Sequence, residues 1–241
     1  MSNEKKVVVS FADGVGNYAK AMLRLELSLK AVGFGKENEY FKGINDYAHI
    51  GSPHHKGTPD SVPYAFKAYS IKKAMEEGAR YILWCDSVVY ATKPIQPIFD
   101  HIKEHGYLIF NNVGFSIGDY TSDACLQKHG MSRKESFYHP MLMSCVQGFD
   151  VEHPVAKEFL KQYIDAASDG VSYNGSWTNE NLQASVDGRC CGHRHDQSKA
   201  SLIANSLGMT ITNAQSTFLA YVEHKGKLPI SDTVCLWSQG I

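Results

Sequence analysis

The densest group of chemically active side chains in this chain lies in residues 192–198, which read GHRHDQS. Two imidazoles, a guanidinium, a carboxylate and an amide fall within five residues, directly before a segment with helical spacing of apolar residues. A cation or a phosphate group needs several polar groups that converge on it, and this segment supplies them. Asp196 or Ser198 alone could cap the following helix, but the whole group favours a functional site.

A second candidate is Asp86, which directly follows the apolar run Tyr81–Cys85 (YILWC). A continuous apolar run of this kind is typical of a strand that is buried on both faces. Open α/β sheets bind ligands at the carboxyl ends of their strands, and a carboxylate there can hold a hard cation. Asp86 could instead cap the next turn, but an unpaired charge at the end of an apolar strand is costly, which favours function.

The segments around these candidates alternate between strand-like and helix-like patterns. Strands are predicted over residues 6–12, 39–44, 81–85 and 106–110. Helices are predicted over residues 17–32, 62–77, 95–105, 154–167 and 195–207. Such alternation predicts an α/β fold with a mostly parallel sheet that helices flank on both faces. Because no linker divides the sequence, we expect a single domain over residues 1–241.

Composition limits the class of protein. The chain has 241 residues, 43% of them hydrophobic and 20% charged, which suffices for a sizeable core. The 24 Lys and Arg residues balance 25 Asp and Glu residues without a basic block, so no nucleic-acid partner is expected. No apolar run approaches the roughly 18–20 residues that cross a bilayer, and no secretion signal is visible. We therefore expect a cytoplasmic protein with no transmembrane segment and with six reduced cysteines.

Three segments together resemble nucleotide-sugar glycosyltransferases of the GT-A fold. The run YILWCDSVVY resembles the strand that ends in their Asp-x-Asp element, and HRHDQSKASLIA resembles a His-x-Asp-Gln segment before a late helix. The run PYAFK at residues 63–67 resembles a helix whose lysine faces the donor phosphates. The resemblance spans roughly residues 6–210. It implies a GT-A-like, Rossmann-like fold and transfer of a sugar from a UDP- or GDP-sugar to a hydroxyl of a glycan or another acceptor.

The resemblance also implies roles for particular residues. Asp196 is expected nearest the reacting carbon, as a base in an inverting enzyme or as a stabiliser of the cationic sugar in a retaining one. The donor and its phosphates are expected to contact Phe11, Ala12, Asp13, Lys67, Asp86, Ser87 and Arg194. Asn111 and Trp177 are expected on the acceptor side. About residues 1–112 would then bind the nucleotide sugar, and about residues 113–241 would form the acceptor side.

A divalent cation is a further implication of the resemblance. Manganese (Mn²⁺) or Mg²⁺ would be bound by Asp86 and His195, with His193 in reserve, and would stabilise the leaving diphosphate as a Lewis acid. This sequence departs from the Asp-x-Asp pattern, because the positions two residues before and after Asp86 are Trp84 and Val88. With one carboxylate in place of two, we expect a weakened metal affinity.

Two other functions fit parts of the sequence. Residues 14–19 (GVGNYA) match the G-x-G-x-x-A pattern of dinucleotide sites between a predicted strand and a helix, with Asp46 available for a ribose. An NAD-dependent oxidoreductase of this kind would leave residues 192–198 without an obvious task. Cys190, Cys191, His193 and His195 could bind zinc in a non-enzymatic module. Structural zinc sites, however, usually draw on two separated pairs of ligands.

Overall fold

The computed structural model describes residues 4–14, 16–55, 60–213, 217–227 and 230–239. Its strands are β1 (Lys6–Phe11), β2 (Glu39–Ile44), β3 (Tyr81–Cys85), β4 (Val89–Ala91), β5 (Tyr107–Ser116), β6 (Pro140–Asp150), β7 (Leu219–Tyr221) and β8 (Leu236–Ser238). Its α-helices are α1 (Asn17–Ala31), α2 (Tyr47–Ile50), α3 (Ala65–Glu76), α4 (Gln96–His105), α5 (Asp123–His129), α6 (Arg133–Ser136), α7 (Pro154–Ala166) and α8 (Asp196–Ser206). Within these ranges, no helix combines the length and the apolar composition that crossing a membrane requires.

Five strands form the central sheet, in the order β2-β1-β3-β6-β5. β1 pairs in parallel with both β2 and β3, whereas β6 pairs antiparallel with both β3 and β5. Four of these five strands therefore run in one direction, which confirms the predicted α/β fold with a mostly parallel sheet. A second, smaller sheet contains β4, β8 and β7.

Apolar side chains cover both faces of the central sheet. On β1, Val7 and Val9 belong to a core cluster that includes residues of α3, α7 and α8. Val8 belongs to a second cluster, which includes residues of α1 and α4. Successive side chains of a strand point to opposite faces, so a strand with helices on both sides needs apolar residues at every position. Val7, Val8, Val9 and Phe11 of β1 meet that need, whereas Ser10 is a buried polar residue.

The predicted elements are present, with some shifted ends. α3 begins at Ala65, three residues later than predicted, because Tyr64 has a φ of 60° and lies outside the helical region. β5 extends from Tyr107 to Ser116, well beyond the predicted end at residue 110. β6 is absent from the sequence-based prediction, although it occupies the sheet between β3 and β5.

One edge of the central sheet collects the candidate residues. Val9 of β1 is in register with Trp84 of β3, so the two strands end side by side. Asp13 follows β1 and Asp86 follows β3 at this edge. The first turn of α3 carries Lys67, and α8 begins with Asp196. Strand ends and helix starts therefore bring distant parts of the sequence to one place.

Candidate functional site

Lys67 is a buried lysine at the centre of the site, with 3% of its surface exposed. Its Nζ lies 3.0 Å from Oδ1 of Asp86 and 3.3 Å from Oδ2 of Asp196. The same atom lies 3.1 Å from the main-chain oxygen and 3.2 Å from the hydroxyl of Ser144. Four oxygen atoms thus surround an ammonium that has three hydrogens, so the position of Lys67 is fixed.

The two acids keep Lys67 charged. Burial alone would lower the pKa of Lys67, but the nearby carboxylates of Asp196 and Asp86 outweigh burial and raise the pKa above its ordinary value. Burial raises the pKa of Asp86, while Lys67 and the Trp84 indole oppose that increase. The indole Nε1 of Trp84 donates a hydrogen bond to Oδ1 of Asp86 at 2.8 Å. Trp84 is a core residue that also orients the carboxylate.

Asp196 is buried at the start of α8, with 2% of its surface exposed. Its Oδ2 accepts a hydrogen bond from the hydroxyl of Tyr163 at 3.1 Å. The residue that caps α8 is His195, and no side chain caps this helix end by a hydrogen bond. Ser198 accepts instead from the main-chain nitrogen of Arg194 at 2.9 Å. The capping alternative for Asp196 and Ser198 is therefore wrong.

Two adjacent compartments lie at this edge of the sheet. The first compartment, about 520 Å³, is lined by the predicted donor residues Phe11, Ala12, Asp13, Lys67, Asp86 and Ser87, among others. The second compartment, about 240 Å³, is lined by Trp177, Arg194 and Asp196, among others. Both compartments share Tyr64, Lys67 and Asp86. These three side chains mark the junction.

Several aromatic side chains of the first compartment were not among the predicted site residues: Tyr18, Tyr47, His54, His55, Tyr64 and Phe66. Phe11 stacks on Phe66 with 4.6 Å between ring centroids. The hydroxyl of Tyr47 lies 3.4 Å from Oδ2 of Asp13. The 13 tyrosines and 11 histidines of the chain were the available sequence signal, and they indicate an aromatic cleft without locating it.

Tyr64 and His195 join the starts of two helices. Each directly precedes its helix, α3 or α8, with a positive φ of 60° or 50°. Positive φ is uncommon outside glycine, and here both residues line up at the same site. The ring of His195 stacks on Tyr64 at 5.5 Å and on Trp177 at 5.6 Å. Its Nδ1 lies 2.9 Å from the main-chain oxygen of Tyr173 and donates to it.

Arg194 is held between two aromatic rings. Its guanidinium carbon lies 4.1 Å from the ring centroid of Tyr120 and 4.0 Å from that of Trp177. Nη1 donates to the main-chain oxygen of Trp177 at 2.5 Å. Stacking of this kind orients the planar guanidinium beside the second compartment.

His193 is not available as the reserve metal ligand. The main-chain nitrogen of Ser122 donates to Nδ1 at 3.2 Å, and Nε2 lies 3.1 Å from the main-chain oxygen of Ser172. A carbonyl oxygen can only accept, so Nε2 carries the proton. Burial lowers the pKa of His193 to about 3, which keeps the ring neutral. Both ring nitrogens are therefore occupied in hydrogen bonds.

Strand alternation corrects the acceptor-side prediction. Asn112 lines the second compartment, and Asn111 does not contribute to its described lining. The main chain of Asn111 instead donates to the oxygen of Thr212 at 2.9 Å. Because neighbouring side chains of β5 point to opposite faces, only one of the two asparagines can face the cleft. Further lining residues that sequence reasoning missed are Met143, Ser144, Cys145, Gln197 and Tyr221.

The described side chains do not fit a divalent cation. Across the part of the chain that the structure describes, no group of three or more His, Cys, Asp or Glu residues could hold a metal ion. Oδ1 of Asp86 already accepts from the Trp84 indole and faces the Lys67 ammonium. Val88, at the second Asp-x-Asp position, lines the first compartment with an apolar side chain. In the described ranges, the Asp86–His195 pair expected from the resemblance therefore has no third His, Cys, Asp or Glu ligand that would complete a cation site.

The structure does not favour the zinc alternative. Cys190 is buried with its thiol against the main-chain oxygens of Thr121 and Gly192, whereas Cys191 is exposed. In the described ranges these thiols belong to no metal-binding group.

The dinucleotide motif is described only in part, because Val15 lies outside the described residues. Asp46, the acid expected at a ribose, caps α2 instead. Its Oδ1 accepts from the main-chain nitrogen of Ala48 at 2.8 Å. A capping role accounts for this carboxylate without a nucleotide.

No protein-family model and no curated protein matches the sequence. Many solved structures are similar to it, among them two glycosyltransferases. One is a glycosyltransferase involved in the glycosylation of the major capsid of PBCV-1, with 14% identity, a TM-score of 0.55, and coverage of 97% of this chain and 92% of that chain. The other is mouse xyloside xylosyltransferase 1 in its apo form, with 11% identity, a TM-score of 0.53, and coverage of 96% of each chain. The chain therefore has a GT-A-like fold, as the sequence resemblance implied.

Proposed function

We propose that this protein transfers a sugar from a nucleoside-diphosphate donor, a UDP- or GDP-sugar, to a hydroxyl of an acceptor. The observation that carries the proposal is the meeting of Lys67, Asp86 and Asp196 where two compartments join, in a fold shared with two glycosyltransferases. Sugar transfer requires two substrates to meet at one reacting carbon. Two adjacent compartments that share Lys67 and Asp86 in their walls suit that requirement.

The nucleotide is assigned to the first compartment. Phe11, Ala12 and Asp13 line it at the end of β1, where ligands of open α/β sheets bind. The aromatic rings of Tyr47 and Phe66 offer surfaces on which a base can stack. These residues support about residues 1–112 as the nucleotide-sugar half of a single domain.

In the proposed reaction, the bond between the anomeric carbon and the terminal phosphate oxygen of the donor breaks. Its electron pair goes to the diphosphate, while the acceptor oxygen forms the new bond to carbon and loses its proton. The growing negative charge on the diphosphate must be stabilised by positive groups that are already in place. Lys67 at the junction and Arg194 in the second compartment supply such charges.

Asp196 is proposed as the carboxylate nearest the reacting carbon. Tyr163 and Lys67 hold its Oδ2, so the side chain has one orientation. A carboxylate held in this way can receive the acceptor proton or stabilise the positive charge that develops on the sugar. The configuration of the product at its anomeric carbon distinguishes these two roles.

The acceptor is assigned to the second compartment. Trp177, 49% exposed, presents an aromatic face that suits a sugar ring. Asn112 and Arg194 line the same space and can donate hydrogen bonds to hydroxyl oxygens. One structural neighbour is named a xyloside xylosyltransferase, which supports a glycan as the acceptor.

Release of the nucleoside diphosphate from a panel of UDP- and GDP-sugars tests the proposal, with water and small glycosides as acceptors. We expect one nucleotide family to be turned over and Asp196→Asn to reduce the rate by about 100-fold or more. Asp165→Asn is the matched control, because Asp165 is 68% exposed on α7 in an ion pair with Lys161. Binding of NAD(P) without turnover of any sugar nucleotide would overturn the proposal in favour of the dinucleotide alternative.

A further inference from the structure

Lys67 lies against Oδ1 of Asp86, one of the two carboxylate oxygens through which this residue could bind a metal ion. Its ammonium contacts Asp86 and Asp196 together, at 3.0 and 3.3 Å, and it is buried. We propose that Lys67 is the permanent cation of this site, and that the protein binds its nucleotide and transfers the sugar without a divalent metal ion. This inference rests on the proposed function and adds to it the means by which the diphosphate charge is stabilised.

A metal ion bound to Asp86 would lie close to the Lys67 ammonium. A divalent cation bound to Oδ1 of Asp86 at about 2.1 Å would lie at most about 5 Å from the Lys67 ammonium, given the 3.0 Å contact. Two positive groups at that separation repel each other, and water screens the Lys67 ammonium little because that side chain is buried. Lys67 cannot move away easily, since Asp196 and Ser144 also hold it.

The site offers few side chains that could bind a divalent cation. One carboxylate and the phosphates of a substrate can suffice for Mg²⁺ in other sites, so the absence of a second acid does not decide the question alone. Here the Lys67 ammonium already contacts both Asp86 and Asp196, the two carboxylates of the site. Val88 has no ligand atom, both nitrogens of His193 are occupied, and His195 lines neither described compartment.

The positive charges of Lys67 and Arg194 can stabilise the departing diphosphate. The bond from the anomeric carbon to the phosphate oxygen breaks with its electron pair on the diphosphate, so the site needs fixed positive charge at the junction. The Lys67 ammonium lines both compartments, and the Arg194 guanidinium, held between Tyr120 and Trp177, lines the second. The two side chains place two positively charged groups at the site, although Asp86 and Asp196 offset the charge of Lys67 before the diphosphate binds.

The first test uses the wild-type chain, with UDP and GDP as probes in isothermal titration calorimetry. Titrations are made after metal removal with EDTA and again in Mn²⁺. We expect the dissociation constant to change by less than about threefold between the two conditions. Loss of binding on metal removal, restored by Mn²⁺, would overturn this inference and leave the proposed function standing. Absence of UDP and GDP binding in both conditions would overturn the proposed function and this inference with it.

The second test uses Lys67→Met, which removes the ammonium and keeps an unbranched side chain. Asp86 and Asp196 then face a position without a cation, so we expect this variant to bind Mn²⁺ and the wild type not to bind it. Electron paramagnetic resonance of free Mn²⁺ measures this difference. We also expect Lys67→Met to bind nucleotide at least about tenfold more weakly in EDTA and to recover in Mn²⁺.

Lys199→Met is the matched control. Lys199 is also a buried lysine, in α8, and its Nζ lies 3.3 Å from Nδ1 of His129. Lys199 lines neither described compartment. We expect this variant to bind nucleotide like the wild type in both conditions. If Lys67→Met binds nucleotide as tightly as the wild type in EDTA, the inference is overturned. Circular dichroism checks that each variant folds. If Lys67→Met does not fold, the titrations of the wild-type chain with and without Mn²⁺ decide whether the inference stands.

Discussion

The hydroxyl of Tyr163 donates a hydrogen bond to Oδ2 of Asp196 at 3.1 Å, and both side chains are buried. Tyr163 belongs to α7 and Asp196 begins α8, so the contact ties the proposed catalytic carboxylate to the neighbouring helix. Burial raises the pKa of Tyr163 well above its ordinary value, which keeps the hydroxyl protonated as a donor. Tyr163 therefore acts as a positioning residue for Asp196.

Replacement of Tyr163 by phenylalanine removes this hydrogen bond and keeps the ring that stacks on Phe159. A hydrogen bond to a charged group contributes about 1.5–3 kcal/mol. We therefore expect kcat for sugar transfer to fall about 10- to 100-fold, with little change in KM for the donor. Steady-state kinetics of nucleoside-diphosphate release measure both constants.

Tyr173→Phe is the control for this variant. The hydroxyl of Tyr173 is also buried, and it donates to the main-chain oxygen of Tyr163 at 3.1 Å. Its removal should lower the melting temperature without a selective loss of kcat. Equal losses of kcat in the two variants would contradict the positioning role of Tyr163.

Gly148 of β6 allows α4 to approach the sheet closely. A Cβ at this position would lie 2.5 Å from Cδ1 of Ile102. Because protein cores are close-packed, we expect Gly148→Ala to lower the free energy of unfolding by about 1–3 kcal/mol. Urea denaturation measures the change.

At Gly188 a Cβ would meet no atom within 4 Å, so Gly188→Ala should change stability by less than about 0.5 kcal/mol. Equal effects would rule out the close-approach explanation.

β6 and β3 differ in how much of their structure the sequence reveals. The five residues of β3 form a compact apolar run, and this pattern predicts a buried strand from local sequence. β6 mixes Met, Ser, Gln and Gly over 11 residues, without the β-branched enrichment that signals a strand. Its place in the sheet depends on pairing with β3 and β5, which lie far away in sequence. Such pairing cannot be predicted from spacing.

Several residues of the candidate site can be predicted from the sequence, but the contacts between them cannot. Lys67, Asp86 and Asp196 each lie in a short motif, so the sequence can nominate them. The fold then places Nζ of Lys67 3.0 Å from Asp86 and 3.3 Å from Asp196. What the motifs cannot reveal is that the lysine bridges the two acids. The unavailability of His193 depends on Ser122 and Ser172, which belong to other segments. Distant contacts of this kind decide whether a nominated residue is free to bind a ligand.

His193 makes stability depend on pH in the acidic range. Burial lowers its pKa to about 3 in the folded chain, whereas the unfolded value is about 6.5. Between these values the unfolded state binds more protons than the folded state, so stability increases with pH across this window and falls on acidification. His193→Gln can still accept from Ser122 and donate to Ser172, but it binds no proton.

We expect His193→Gln to show a smaller increase of unfolding free energy with pH than the wild type between about pH 4 and pH 6. The difference in slope should reach up to about 1.4 kcal/mol per pH unit, which corresponds to one proton. Urea denaturation at a series of pH values measures both slopes. Parallel curves for the two proteins would show that His193 does not titrate on unfolding.

The indole of Trp84 holds the Asp86 carboxylate that contacts Lys67. Trp84→Phe keeps a buried ring and removes the 2.8 Å hydrogen bond to Asp86. We expect the free energy of unfolding to fall by about 2 kcal/mol, since the acceptor is charged. We also expect kcat/KM for the sugar-nucleotide donor to fall at least about tenfold, because Asp86 and with it Lys67 lose their fixed orientation. Trp237→Phe in β8, outside the described lining of both compartments, should retain full kcat/KM. If Trp84→Phe is destabilised but equally active, the indole is a packing group and does not orient the site.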